Sequence, residues 1–197
     1  MRAAVFHEVG QPLTVEEIEV DAPGPREVLV DTAASGVCHS DLHFVEGLYD
    51  ISMMGGTPAI LGHEGAGIVA AVGDAVTEFV PGDHVISCPS VFCGNCDFCL
   101  VGQTHLCQSP STRRSSSDPP KYTLDGAPVT QFAGLSTYAE QMLVHENALV
   151  KIRDDMPLDK AALIGCGVTT GVGAALNTAK VEPGSTVAVF GAGGIVL

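Results

Sequence analysis

The sequence is poor in positive charge. Lys and Arg together number 9 against 23 Asp and Glu, which gives a formal net charge of −14 at pH 7. A surface of this sign repels phosphate backbones and anionic lipid headgroups. We therefore expect neither a nucleic-acid partner nor a membrane partner, and we interpret the excess of acidic residues as a solubility feature.

Long hydrophobic runs are also missing. No stretch approaches the roughly 18 uninterrupted apolar residues of a membrane helix. The N-terminal segment MRAAVFHEVG contains no apolar core long enough for a signal peptide, because His7 and Glu8 follow Phe6 directly. We expect a cytoplasmic protein.

What the sequence does contain is a globular pattern of short apolar runs between Gly- and Pro-rich turns. The 197 residues suffice for one domain, or for one domain and part of a second. Period-two alternation and turn residues predict strands at 3–6, 13–20, 28–33, 62–72, 84–87, 138–144, 148–152 and 186–190. Helices are predicted at 42–46, capped by Ser40 and Asp41, and at 157–164 and 168–178. Strands first and helices last indicate a β-rich domain followed by an α/β unit.

Seven cysteines occur in a chain without a secretion signal, and four of them form the pattern C-x2-C-x2-C-x7-C. Cytosolic thiols are kept reduced, so clustered cysteines indicate metal binding or catalysis. Four thiolates with no open position are typical of structural zinc. The ligands would be Cys93, Cys96, Cys99 and Cys107. Iron is the alternative metal, and free or paired thiols are the alternative without metal.

Three other residues have side chains that bind metals and lie beside or near glycine. They are Cys38 in GVCHSDLH, His63 in LGHEGAG and Cys166 in GCGVTTG. Two thiolates and an imidazole would leave a fourth zinc position open, as in catalytic sites. Their separation in the sequence does not indicate a site, however, because a single cysteine or histidine is usually structural.

The segments around these residues resemble the zinc-containing alcohol dehydrogenases of the medium-chain dehydrogenase family. The resemblance is carried by GVCHSDLH, LGHEGAGIVAAVG, the four-cysteine pattern and IGCGVTTGVGAALNTAKVEPGSTVAVFGAGG. The last segment is most similar to the branch that contains animal and plant alcohol dehydrogenases and glutathione-dependent formaldehyde dehydrogenases. The resemblance implies two zinc ions per chain: one catalytic, held by Cys38, His63 and Cys166, and one structural, held by the four clustered cysteines.

The resemblance also implies roles for six further positions. Ser40 would begin proton removal from the alcohol, His43 would pass the proton towards solvent, Asp41 would orient His63, and Glu64 would assist ligand exchange. His39 would contact the cofactor pyrophosphate, and Thr170 would lie near the nicotinamide. Without the resemblance, Ser40 and Asp41 are more simply explained as helix caps.

The implied fold is mostly β with α+β elements. It comprises a GroES-like catalytic domain at 1–165 with a zinc lobe at about 88–110, followed at 166–197 by a connecting helix and the start of a Rossmann domain. Gly191 and Gly193 would supply the first two glycines of the dinucleotide fingerprint, whereas Val196 occupies the third position. We expect a fragment of a longer NAD-dependent enzyme, with NADP not excluded. The chain alone is not expected to turn over, and its parent would be a homo-oligomer.

The implied reaction interconverts small alcohols and aldehydes or ketones by hydride transfer. Three alternatives remain open at this point. The first is a dehydrogenase that acts on hydroxymethyl conjugates of a small thiol. The second is a non-catalytic zinc-binding module, and the third is a thiol redox protein, because C-x2-C pairs can be redox-active.

Overall fold

The structure is a computed structural model that describes residues 1–191 and 193–195, and this part of the chain is mostly β. Twelve strands form three sheets there, and one helical segment follows them. The strands are β1 (Arg2–Phe6), β2 (Thr14–Glu17), β3 (Glu19–Val20), β4 (Glu27–Ser35), β5 (Ala59–Ile60), β6 (Gly65–Val72), β7 (His84–Ser87), β8 (Tyr122–Leu124), β9 (Ala127–Pro128), β10 (Thr130–Gln131), β11 (Gln141–His145) and β12 (Leu149–Lys151).

The largest sheet has the order β11-β4-β6-β7-β12, and all its neighbours are antiparallel. Val28 and Val30 of β4 are fully buried, as expected for alternate residues on one face of a strand. On β6, a Cβ added to Gly67 would lie 2.2 Å from the carbonyl oxygen of Asp31. The glycine at this position therefore lets the backbones of β4 and β6 approach closely.

Two smaller sheets complete the β structure. One has the order β10-β5-β1-β2, with β10 parallel to β5, and the other has the order β3-β8-β9. The predicted strand 13–20 is divided between these sheets at Ile18, which is 2% exposed and whose N–H bonds to the carbonyl of Met1. Ile18 is thus the residue at which the chain passes from one sheet into the next.

Helix α1 (His39–Val45) starts earlier than predicted. Cys38 is the N-cap residue, so the prediction that Ser40 and Asp41 cap the helix is wrong. Asp41 lies inside the first turn, where its carboxylate accepts a 3.3 Å hydrogen bond from the backbone N–H of Cys38. The side chain thus satisfies the backbone in front of the helix from the third helical position, which is one half of a capping box.

The helical segment Leu158–Thr178 is continuous, whereas two helices were predicted. It comprises α3 (Leu158–Ala161), a π-helical turn (Ile164–Val168), α4 (Thr169–Gly173) and a second π-helical turn (Ala174–Thr178). A Cβ at Gly165 would lie 1.8 Å from the carbonyl oxygen of Ser87, so this glycine lets the segment pack on β7. By length and composition alone the segment could cross a membrane, but core helices of soluble proteins pass the same test.

The strand predicted at 186–190 is not formed. Val187, Val189 and Phe190 are exposed, and no strand within 1–191 and 193–195 pairs with this stretch. The prediction is wrong because a strand needs a hydrogen-bonded neighbour, and an apolar run cannot supply one by itself. Val196 lies outside the described residues.

Candidate functional site

The four clustered cysteines form one compact lobe between β7 and β8. The Sγ atom of Cys99 lies 3.5 Å from that of Cys96 and 3.9 Å from that of Cys93. The Sγ atom of Cys107 lies 3.8 Å from that of Cys96. Cys96 directly precedes the short helix α2 (Asp97–Leu100), and Cys99 lies within it. Gly94, with φ of 82°, makes the turn after Cys93.

The pKa values of two thiols in this lobe are shifted in opposite directions. The backbone N–H of Asn95 lowers the pKa of Cys93 to about 6, whereas burial raises the pKa of Cys99 to about 11. Four sulfur atoms this close together cannot all carry negative charge unless a cation lies among them. The donor set and its convergence fit a tetrahedral thiolate site for zinc.

A second cluster brings together residues that are far apart in the sequence. One donor atom from each of Cys38, His63, Glu64 and Cys166 lies within 4.8 Å of all the others. Cys38 ends the loop between β4 and α1, and His63 and Glu64 directly precede β6. Cys166 lies in the π-helical turn Ile164–Val168, a distortion found frequently at functional sites.

Asp41 determines which nitrogen of His63 can face this cluster. The Nδ1 atom of His63 lies 3.3 Å from Oδ1 of Asp41, and both residues are buried. Nε2 is therefore the ring nitrogen left for a metal. Burial lowers the pKa of His63, but the hydrogen bond and charge of Asp41 outweigh burial and raise the pKa to about 9.

The pKa values of the two thiols in the second cluster are also shifted in opposite directions. Burial raises the pKa of Cys38, but the N–H and hydroxyl of Ser40 and the nearby His63 lower it below its ordinary value. Burial and the charges of Cys38 and Glu64 raise the pKa of Cys166 to about 12. A divalent cation reverses these preferences, because it favours ionised thiols and a neutral imidazole. Two sulfur atoms and one nitrogen fit a zinc site with an open position.

Glu64 is buried beside the sulfur atoms, with only 4% of its surface exposed. A Cβ added to Gly36 would lie 2.1 Å from Oε2 of Glu64. Gly36 thus leaves the space that the Glu64 carboxylate occupies, and the structure places this carboxylate in the cluster instead of on the solvated surface.

Ser40 and His43 follow Cys38 on α1, three positions apart and hence on one helix face. The Nδ1 atom of His43 is buried without a hydrogen-bond partner in the described part of the chain. Its ring contacts those of His39 and Tyr49 edge-to-face, with centroid separations of 4.8 and 5.0 Å. An imidazole with an unused nitrogen beside a hydroxyl-bearing turn is suited to proton transfer.

The predicted cofactor residues lie at the surface. His39 is exposed next to Cys38, and Thr170 is exposed one helical turn after Cys166. Gly191 and Gly193 are exposed, and an added Cβ would meet no heavy atom within 4 Å at either position. Their cofactor contacts stay a prediction.

Sequence reasoning missed two aromatic residues at this site. The hydroxyl of Tyr138 donates a 3.1 Å hydrogen bond to Oδ2 of Asp41. The buried ring of Phe132 lies with its centroid 5.9 Å from that of His63. Both residues belong to a segment whose sequence has neither a metal ligand nor a recognisable motif, so only the fold could reveal them.

Residues 24–154 match the family model described as the alcohol dehydrogenase GroES-like domain. The chain belongs to this family. The family and the mostly β, GroES-like fold inferred from the sequence are thus confirmed. The S-(hydroxymethyl)glutathione dehydrogenase of Paracoccus denitrificans and the class-3 alcohol dehydrogenase of Cereibacter sphaeroides are each 44% identical to the chain.

Solved structures of alcohol dehydrogenases are similar to this chain over nearly its whole length. A zinc-binding domain protein of this class from Burkholderia ambifaria is 36% identical with a TM-score of 0.88, and covers 98% of the chain. The benzyl alcohol dehydrogenase of Acinetobacter calcoaceticus is 34% identical with a TM-score of 0.84, and covers 99%. The alignments span 53% of each curated relative and 53% and 52% of these two structures. The chain thus spans about half the length of the relatives it matches.

Proposed function

We propose that this chain carries both metal centres of a zinc-dependent alcohol dehydrogenase. The observation that supports the proposal most directly is the convergence of Cys38, His63 and Cys166 within 4.8 Å, because their separation in the sequence gives no reason for them to meet. Cys93, Cys96, Cys99 and Cys107 would hold the second, structural zinc. The proposed stoichiometry is two zinc ions per chain.

Zinc in the second cluster, held by Cys38, His63 and Cys166, would supply Lewis acidity, which lowers the pKa of an alcohol substrate. The chain's own residues would then move the proton. Ser40 lies beside Cys38 and would accept it, and His43 would take it up at its unpartnered Nδ1 and pass it towards solvent. Asp41 would keep His63 oriented throughout. The buried Glu64 would assist ligand exchange at the metal.

NAD is the proposed hydride acceptor. His39 would meet its pyrophosphate, Thr170 would lie beside the nicotinamide, and Gly191 and Gly193 would approach the phosphates. Ile195 supports this arrangement, because its carbonyl oxygen would lie 2.3 Å from a Cβ at Gly171. The glycine turn therefore returns to the helix that carries Thr170. The proposed division is a catalytic domain at 1–165 and a cofactor-binding part from 166.

The proposed substrate is a small alcohol or aldehyde. The enzyme is proposed to be cytoplasmic and to assemble as a homo-oligomer. A second candidate is oxidation of S-hydroxymethyl conjugates of a small thiol. It is favoured by the 44% identity to the Paracoccus denitrificans S-(hydroxymethyl)glutathione dehydrogenase. Comparing turnover of simple alcohols with turnover of formaldehyde plus glutathione by the full-length enzyme separates the two candidates.

Zinc per chain tests the proposal on the purified protein. We expect two zinc ions in the wild-type chain and one in Cys38→Ser, with the circular dichroism spectrum unchanged. Cys96→Ser should also lose one zinc, from the lobe. A wild-type chain with one zinc that Cys38→Ser retains would contradict the proposal and favour a non-catalytic zinc-binding module. No zinc and titratable disulfides would favour a thiol redox protein.

A further inference from the structure

The carboxylate of Asp41 is surrounded by hydrogen-bond donors. Oδ1 accepts from the backbone N–H of Gly62 at 3.0 Å and lies 3.3 Å from Nδ1 of His63. Oδ2 accepts from the backbone N–H of Cys38 at 3.3 Å and from the hydroxyl of Tyr138 at 3.1 Å. Three of these donors belong to the loops that carry Cys38 and His63. Only Tyr138 comes from a distant part of the chain.

Two backbone hydrogen bonds hold Tyr138 in place. Its N–H donates to the carbonyl of Leu61 at 3.1 Å, and its carbonyl accepts from the N–H of Ala4 at 2.8 Å. The ring packs against Gly62, where an added Cβ would lie 2.5 Å from Cδ1 of Tyr138. Gly62 has φ of 89°, a conformation that suits glycine. The hydroxyl is thus directed at Asp41 by backbone that is anchored on both sides.

Tyr138 acts only as a donor in this arrangement. Burial and the charge of Asp41 raise the pKa of its hydroxyl far above the ordinary value. A neutral hydroxyl stabilises the charged form of a carboxylate without competing for the proton of the histidine. Without Tyr138, Oδ2 of Asp41 would accept only the 3.3 Å hydrogen bond from the backbone N–H of Cys38.

We propose that Tyr138 is a positioning residue, which fixes the Asp41 carboxylate and through it the orientation of His63 towards the metal. The inference rests on the proposed zinc site of Cys38, His63 and Cys166. Groups that orient a ligand histidine change metal affinity by about 10- to 100-fold when they are replaced. Tyr138 is one contact further from the metal than Asp41, so we expect the lower end of that range.

The test is the rate at which the zinc-loaded chain loses zinc to a chromogenic chelator. In Tyr138→Phe, which removes one hydroxyl, we expect one of the two zinc ions to leave about tenfold faster. Zinc in the lobe should leave at the wild-type rate and serves as the control within the same molecule. Cobalt-loaded Tyr138→Phe should also show a shifted visible absorption band, because the histidine ligand turns.

Tyr122→Phe is the matched control for a general loss of stability. The hydroxyl of the buried Tyr122 accepts a 2.7 Å hydrogen bond from the N–H of Leu143, and within the described residues no hydrogen bond joins it to a metal-binding residue. This variant should unfold more easily but release zinc at the wild-type rate. Equal acceleration in both variants, or unchanged release and an unchanged cobalt spectrum in Tyr138→Phe, would overturn the role of Tyr138. A wild-type chain that binds no metal through Cys38 would instead refute the underlying function.

Discussion

Arg114 joins the polar loop after the cysteine lobe to the first strand of the largest sheet. Its guanidinium donates to Oε2 of Glu27 and to Oδ2 of Asp21, each at 2.6 Å, and to the carbonyls of Ala22 and Pro119. Lys121 lies 3.2 Å from the same Glu27 carboxylate. The side chains of Arg114 and Glu27 are only 15% and 9% exposed, so solvent screens this network weakly.

Removing the charge of Glu27 should destabilise the chain at neutral pH. Glu27→Gln leaves the partly buried Arg114 and Lys121 without their shared carboxylate, although Arg114 keeps Asp21, and we expect a loss of about 2 kcal/mol in the free energy of unfolding. Glu140→Gln is the control, because Glu140 also pairs with an arginine, but the side chains of Glu140 and Arg2 are 47% and 66% exposed. That variant should change stability by less than about 1 kcal/mol.

The difference between wild type and Glu27→Gln should depend on pH. Burial raises the pKa of Glu27, but Arg114 and Lys121 outweigh burial and lower it below the ordinary 4.5. The stabilisation is therefore complete above pH 4.5 and is lost as the pH falls through the lower pKa of the folded state. Urea unfolding at several pH values measures this; a difference that stays constant down to pH 3 would contradict the expectation.

At the scale of elements, the cysteine lobe has little apolar material to hold it together. Cys93 and Cys99 are its buried residues, whereas Leu100, Val101 and Leu106 are exposed. A segment that buries so little cannot offset the entropy of ordering its backbone. A metal bound by the four thiolates would supply that stabilisation, as it does in small zinc-binding domains.

Cys99→Ser should therefore unfold the lobe without unfolding the sheets. We expect backbone amides of 93–107 to lose most of their protection from hydrogen exchange, while those of β4 and β6 keep theirs. Cys88→Ser is the control, since Cys88 belongs to neither cluster. Loss of protection throughout the chain in Cys99→Ser would show that the lobe and the sheets unfold together.

At the scale of the whole molecule, the second cluster joins parts that are otherwise weakly connected. Ala161 and Ala162 are buried against the sheet, but Val168, Val172 and Leu176 further along the helical segment are about half exposed. Cys166 lies where this contact ends. A metal bound there would link the helical segment to the loops of Cys38 and His63.

Cys166→Ser should loosen the helical segment selectively. We expect amides of 166–178 to exchange faster, with the lobe still protected, which is the reverse of the pattern in Cys99→Ser. The reason is that each metal would stabilise the elements that supply its ligands. If exchange at 166–178 is the same in wild type and Cys166→Ser, Cys166 does not bind a metal that holds this segment.

The sequence alone determined the features that depend on neighbouring residues. The four-cysteine spacing predicts a lobe because its ligands lie within 15 residues, and alternation located most strands because the side-chain period of a strand is local. The resemblance to a family, and not spacing, pointed to Cys38, His63 and Cys166. Only the tertiary structure brings these three together, directs Tyr138 at Asp41 and leaves 186–190 without a pairing strand. Those outcomes depend on contacts between segments far apart in the chain, which no local pattern encodes.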